Sequence, residues 1–162
     1  MKHKFVIGID GSGADEAIKV VQDYKQWIIQ KTGELARRLA EMGATSAEVG
    51  FAAAYYDGDN DVSVTTEQRG ESVHAVIATG AATLFIEFGS GLIGYGHPEP
   101  HGYGPGTFPP TDPSHPRWNQ PTGWYMPGGG HTHGNPPNAP MYNSVKELER
   151  EIEAIAREVF SD

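Results

Sequence analysis

The chain contains no cysteine. Disulfides, thiol nucleophiles and thiolate metal sites are therefore excluded. Basic residues are scarce as well: 12 Lys+Arg stand against 21 Asp+Glu, a formal charge of -9. A protein whose main task is to grip nucleic acid needs clustered Lys and Arg to meet the phosphates, so that class is disfavoured. The acidic balance does not exclude lining a channel that lets DNA pass without sticking. Long apolar runs are missing too. None approaches the ~20 residues of a transmembrane helix. The stretch from Met1 to Asp10 meets a charge too early for a signal-peptide core. The expectation is a soluble protein made in the cytoplasm, with no membrane partner. At 162 residues, one domain spanning the whole chain is expected. A core of that size can stabilise itself without staples.

What is abundant is unevenly placed. All 12 Pro and 12 of the 21 Gly lie within residues 89–140. The same window holds five of the seven His and only three charged residues, Glu99, Asp112 and Arg117. Proline cannot donate to a ladder and glycine weakens regular structure, so a long loop is expected here. Loops of this length in compact domains usually carry function or are disordered. The aromatics Tyr95, Tyr103, Phe108, Trp118, Trp124 and Tyr125 count against simple disorder. Aromatic rings are enriched where interfaces bury them. Tyr103, Phe108, Trp118, Trp124 and Tyr125 are the candidate partner-contact residues. The competing reading is a loop that folds back on its own sheet.

Outside this window the pattern is regular. Over residues 14–42, Ile18, Val21, Tyr24, Ile28, Leu35, Leu39 and Met42 recur at steps that mark one face of a long helix. Lys19, Asp23, Lys25, Gln30, Arg37 and Glu41 lie opposite. Gly33 is a weak point and Gly43 suits a C-terminal stop. Residues 47–55 then alternate with period two, through Ala47, Val49, Phe51, Ala53 and Tyr55. Asp57 to Asp61 reads as a turn, residues 62–68 as a second strand, and Arg69 to Glu71 as a second turn. Residues 73–79 and 83–88 complete a four-stranded antiparallel meander. A second helix over residues 144–160 carries Val145, Leu148, Ile152, Ile155 and Val159 on one face. Ser144 and Glu147 match a capping box at its start. The predicted fold is α+β: long N-terminal helix, four-stranded meander, Gly/Pro-rich loop at residues 89–140, C-terminal helix.

Catalytic signatures are weak. The run from Ile7 to Gly13 looks like a phosphate loop, but it lacks the third glycine and the βαβ unit of a dinucleotide fold. Asp57, Asp59 and Asp61 resemble the start of a calcium loop, but Val62 and Gln68 stand where Gly and Glu are required. No Gly-x-Ser-x-Gly elbow occurs, and Ser90 follows a predicted strand into loop. The histidines are the main rival reading. His97, Glu99, His101, His131 and His133 could serve a metal-binding protein or a small metallohydrolase, since imidazole suits zinc, copper, iron or nickel. Against this, the two clusters stand 30 residues apart in a Gly/Pro loop without a rigid scaffold. No catalytic residue, cofactor or resident metal is assigned.

The run Ala82-Thr-Leu-Phe-Ile-Glu-Phe-Gly-Ser-Gly91 resembles the apolar strand and Glu-Phe-Gly-Thr-Gly hallmark of a tailed-phage structural family. Members are described as minor tail components or neck proteins of siphophages and prophages. Further similarities follow in the same order. Tyr55 to Val64 is similar to the family's first hairpin, and Gly102 to Gly106 and Pro121 to Tyr125 to its glycine- and aromatic-rich loop. His133 to Pro136 with Pro140 to Asn143 resembles its return into the last helix, and Ile155 to Phe160 its C-terminal signature. The likeness runs from about Val20 to Phe160. It implies a non-enzymatic virion protein of the head–tail junction, a neck or tail-completion component. The implied partners are further copies of itself in a ring, often sixfold, and other neck and tail proteins. DNA would be passing cargo only.

Overall fold

The computed structural model describes residues 13–97, 102, 123–125 and 129–161. Its spine is one helix, α1, Gly13–Ala52, of 40 residues. At 1.5 Å per residue it is about 60 Å long. A hairpin follows, with β1 at Ser63–Gly70 and β2 at Val73–Thr79. Two short helices come next, α2 at Thr83–Phe88 and α3 at Gly91–Tyr95. Further along the chain are three two-residue strands, β3 at Trp124–Tyr125, β4 at His131–Thr132 and β5 at Gly134–Asn135. Helix α4, Pro140–Ser161, ends the described chain.

The mixed α+β class and both terminal helices are as the sequence predicts. The four-stranded meander is not. Residues 47–55 form no strand; α1 continues through them to Ala52. Ala40, Gly43, Ala47 and Phe51 are its buried residues there, at steps of three and four. The helical period thus overrides the apparent alternation, and the alanines around it favour helix. Gly43 is not a stop. A Cβ on it would stand 3.0 Å from Leu148 Cδ1 of α4 and 3.5 Å from Val76 Cγ2 of β2. A Cβ on Gly33 would lie 2.6 Å from the carbonyl oxygen of Glu71 at the hairpin turn. Each glycine costs a helix about 1 kcal/mol against alanine, yet each lets a neighbour approach α1 more closely.

Residues 83–88 are also helical rather than extended. Asp61 holds the start of this helix: its carboxylate accepts the N–H groups of Ala81 at 2.8 Å and Ala82 at 2.9 Å. Only the two central predicted strands are strands. They pair antiparallel from Ser63 opposite Thr79 to Gly70 opposite Val73, with a bulge between Gln68 and Gly70. The predicted capping box is corrected as well. Helix α4 starts at Pro140, a position that needs no N–H donor. Ser144 sits inside it and donates to the Met141 carbonyl at 2.9 Å. Glu147 instead receives the hydroxyl of Ser46 on α1.

Helices α1 and α4 pack antiparallel, with Gly50 beside Pro140, Gly43 beside Leu148, and Arg38 beside Glu158. The hairpin lies along another side of α1. The main core sits near the C-terminal end of α1, where Phe51, Ala82 and Ile86 are buried against Val62, Val64, Ala78 and Met141. At the opposite end Trp27 meets Phe160 edge-on at 5.7 Å, in the last turns of α4. N-terminal to that contact the apolar stripe of α1 continues into solvent, with Ile18 56% and Val21 60% exposed.

Candidate functional site

The best-defined polar site is the root of the long loop, where the chain leaves α2 and returns before α4. The departing strand-like residues Ser90 and Gly91 bridge antiparallel to Asn135 and Gly134. Gly91 has φ 62° and Gly134 φ 95°, conformations that disfavour a side chain. A Cβ on Gly134 would fall 2.0 Å from the Ser90 carbonyl oxygen. Two glycines thus bring two backbones into direct contact.

Asn135 is the centre of this clasp and is 1% exposed. Its Oδ1 accepts the Ser90 hydroxyl at 2.5 Å. Its Nδ2 donates to the Phe85 carbonyl at 2.9 Å and the Pro136 carbonyl at 3.1 Å. A buried amide is stable only when so satisfied. Asn138 holds the end of α1 in the same way. It accepts the Tyr55 N–H at 3.1 Å and returns a donor to the Tyr55 carbonyl at 3.1 Å. Backbone bonds from Asn138 to the Ile86 carbonyl and from Ala139 to the Glu87 carbonyl continue the seam.

Glu87 is 6% exposed. Its carboxylate accepts the N–H of Met141 at 2.9 Å and of Tyr142 at 3.1 Å. Those donors belong to the first turn of α4, whose N-terminal groups have no partner within the helix. A negative charge there is also favoured by the helix dipole. Thr132, buried, ties the returning chain to the turn after α1: its hydroxyl donates to Asp57 at 2.7 Å and accepts the Gly134 N–H at 3.0 Å. Nearby, the Asp57 carboxylate pushes the pKa of the exposed Tyr55 phenol above its usual value, first through a hydrogen bond and then through its charge. Burial, with Asp61 and Asp59 adding to it, does the same for Tyr56. Asp61 is held below the usual carboxylate range, chiefly by the Ala82 and Ala81 N–H groups.

Of the five predicted partner-contact residues, Tyr103, Phe108 and Trp118 lie outside the described residues. Trp124 and Tyr125 form β3 and pair with Thr132 and His131 of β4. Trp124 turns back onto the clasp, since a Cβ on Gly91 would meet its ring at 2.5 Å. Tyr125 is 79% exposed and stands edge-on to His131 at 4.9 Å. Of the candidate metal ligands, Glu99 and His101 lie outside the described residues, and His97 is exposed after α3. His131 and His133 are brought together. Among the described residues no group of three or more His, Asp or Glu is placed to hold a metal ion. The Ser90 hydroxyl is bonded to Asn135 rather than to an imidazole.

Asn135, Asn138 and Glu87 are not singled out as site residues by sequence reasoning. Glu87 carries a readable signal: one charge inside Phe-Ile-Glu-Phe needs a partner if it is buried. The asparagines carry none, because Asn among prolines also describes any turn. No helix among the described residues is long and apolar enough to cross a membrane. Comparison with protein-family models, with curated proteins and with solved structures finds no match.

Proposed function

We propose that this protein is a structural subunit of the head–tail junction of a tailed phage, a neck or tail-completion component that works as a ring of identical copies. The observation that carries the reading is the clasp. Glu87, Ser90 and Gly91 of the family-like run are bound to Gly134, Asn135 and the start of α4, so both signatures have one architectural purpose. They anchor the two ends of the segment to a rigid base. Their polar groups are directed at one another, which suits a scaffold better than a reaction centre.

Exposed apolar residues in the N-terminal half of α1 support self-association. The stripe that buries Ala40, Ala47 and Phe51 lower on the helix continues as exposed Ile18 and Val21. Such a face is favourably covered by a second copy, and a closed ring repeats one heterologous contact. The net negative charge keeps passing DNA from adhering to the ring wall.

The decisive experiment is electron microscopy of lysates from a phage or prophage carrying this gene, with the gene deleted and with it restored. Separate filled heads and tails, or tails with abnormal ends, are expected on deletion. Normal joined and infectious particles would overturn the junction role.

A further inference from the structure

The returning limb of the long loop sets two imidazoles side by side. The chain is extended around β4, so His131 and His133 fall on one face and Thr132 on the other. Thr132 is buried and bonded to Asp57, whereas both histidines are exposed. Their ring centroids are 4.9 Å apart, with planes at 72°. Both rings lie over Gly123. A Cβ there would stand 2.8 Å from Cε1 of His131 and 3.0 Å from Cδ2 of His133. Gly123 has φ 71°, and its bare α-carbon leaves the floor beneath both rings clear.

We propose that His131 and His133 form a two-imidazole chelate for a borderline divalent ion of the zinc type, with Tyr125 as its side wall. Neutral imidazole is a preferred ligand of such ions. The backbone that carries the pair is already held, by β3–β4 pairing and by the Thr132–Asp57 bond. Little conformational entropy is then lost when the two rings converge on one ion. Two protein ligands leave the other coordination positions to water or to a donor from an adjoining molecule. The site is therefore open, unlike a closed four-ligand structural zinc centre. Of the five metal-ligand candidates in the sequence, it uses only these two. The inference does not depend on the junction role.

The test is calorimetric titration of the full chain, prepared without an affinity tag, with Zn²⁺. Saturable binding of one ion is expected at this pair. His131→Ala and His133→Ala should each weaken it by about tenfold or more. A His97→Ala/His101→Ala variant should bind as the parent does. Both imidazoles are exposed, so the single variants keep the fold, which far-ultraviolet circular dichroism checks. In parallel, Co²⁺ should broaden the amide signals of Gly123, Tyr125 and His133 before others. Absence of saturable binding, or undiminished affinity in either single variant, would overturn the proposal.

Discussion

Glu87 and Met141 are 54 positions apart in sequence, yet the carboxylate of the first accepts the backbone N–H of the second at 2.9 Å. The end of α2 thereby serves as the N-terminal cap of α4. Residues 89–140 leave and return on either side of this one joint, so the loop's length is uncoupled from the packing of the helices. A long excursion costs chain entropy only slowly with length.

Removing the carboxylate tests the joint. Glu87→Ala leaves two N–H groups of α4 without their acceptor in a buried setting, and a loss of about 2–4 kcal/mol is expected. Glu87→Gln keeps one acceptor oxygen but not the charge, and should lose less. Urea denaturation of the three proteins measures the order, and equal midpoints for parent and Glu87→Ala would contradict it.

Asn135 makes a sharper comparison. Asn135→Asp preserves shape but replaces the donor to the Phe85 and Pro136 carbonyls with an acceptor. Facing lone pairs in a buried site should cost more than about 2 kcal/mol. Hydrogen exchange should show the opening at residues 85–91 and 134–139 first, with α1 protected at Ala40 and Ala47. Uniform loss of protection along the chain would mean that the clasp is not a separate unit.

Acid sensitivity has a defined sign at Asp61. Its folded carboxyl is held below the ordinary value by the N–H groups of Ala82 and Ala81. A depressed folded value adds stability above the unfolded value, and that addition is lost as pH falls through the folded value. The parent should exceed Asp61→Asn in denaturant midpoint near neutral pH. The gap should close as pH falls below about 4, the range where free aspartate titrates. A gap that is constant with pH would show that the charge plays no part.

The exposed half of α1 gives the last prediction. Ile18→Ser/Val21→Ser changes two side chains that face solvent in the isolated chain, so monomer stability should move by no more than about 0.5 kcal/mol. Oligomer formation, followed by light scattering on a sizing column, should weaken or vanish. Unchanged oligomers would place the self-contact elsewhere on the surface.

Much of the architecture is legible in the residues. The stripe from Ile18 to Met42 specifies a helix, the Val62–Gln68 and Val73–Thr79 runs specify the hairpin, and the stripe from Val145 to Val159 specifies α4. Each works because its apolar period matches one backbone geometry over several turns or pairs. The placing of proline and glycine marks residues 89–140 as irregular, yet the short helix α3 and the two-residue strands β3, β4 and β5 form within them. The two misread strands have one cause. Ala47 to Tyr55 and Thr83 to Phe88 are short and apolar, and a short run fits either period. Tertiary contacts decide such runs: with both segments helical, Phe51 and Ile86 share one core. The site depended on tertiary structure still more. Nothing local links Glu87 to Met141, Ser90 to Asn135 or Asp57 to Thr132, because buried polar groups take their partners from wherever the fold brings a complementary atom. The sequence by itself determined the two terminal helices and the hairpin between them. Only the packing of α1, α2 and α4 decided where the loop is anchored, since that packing creates the buried space in which those hydrogen bonds must be made.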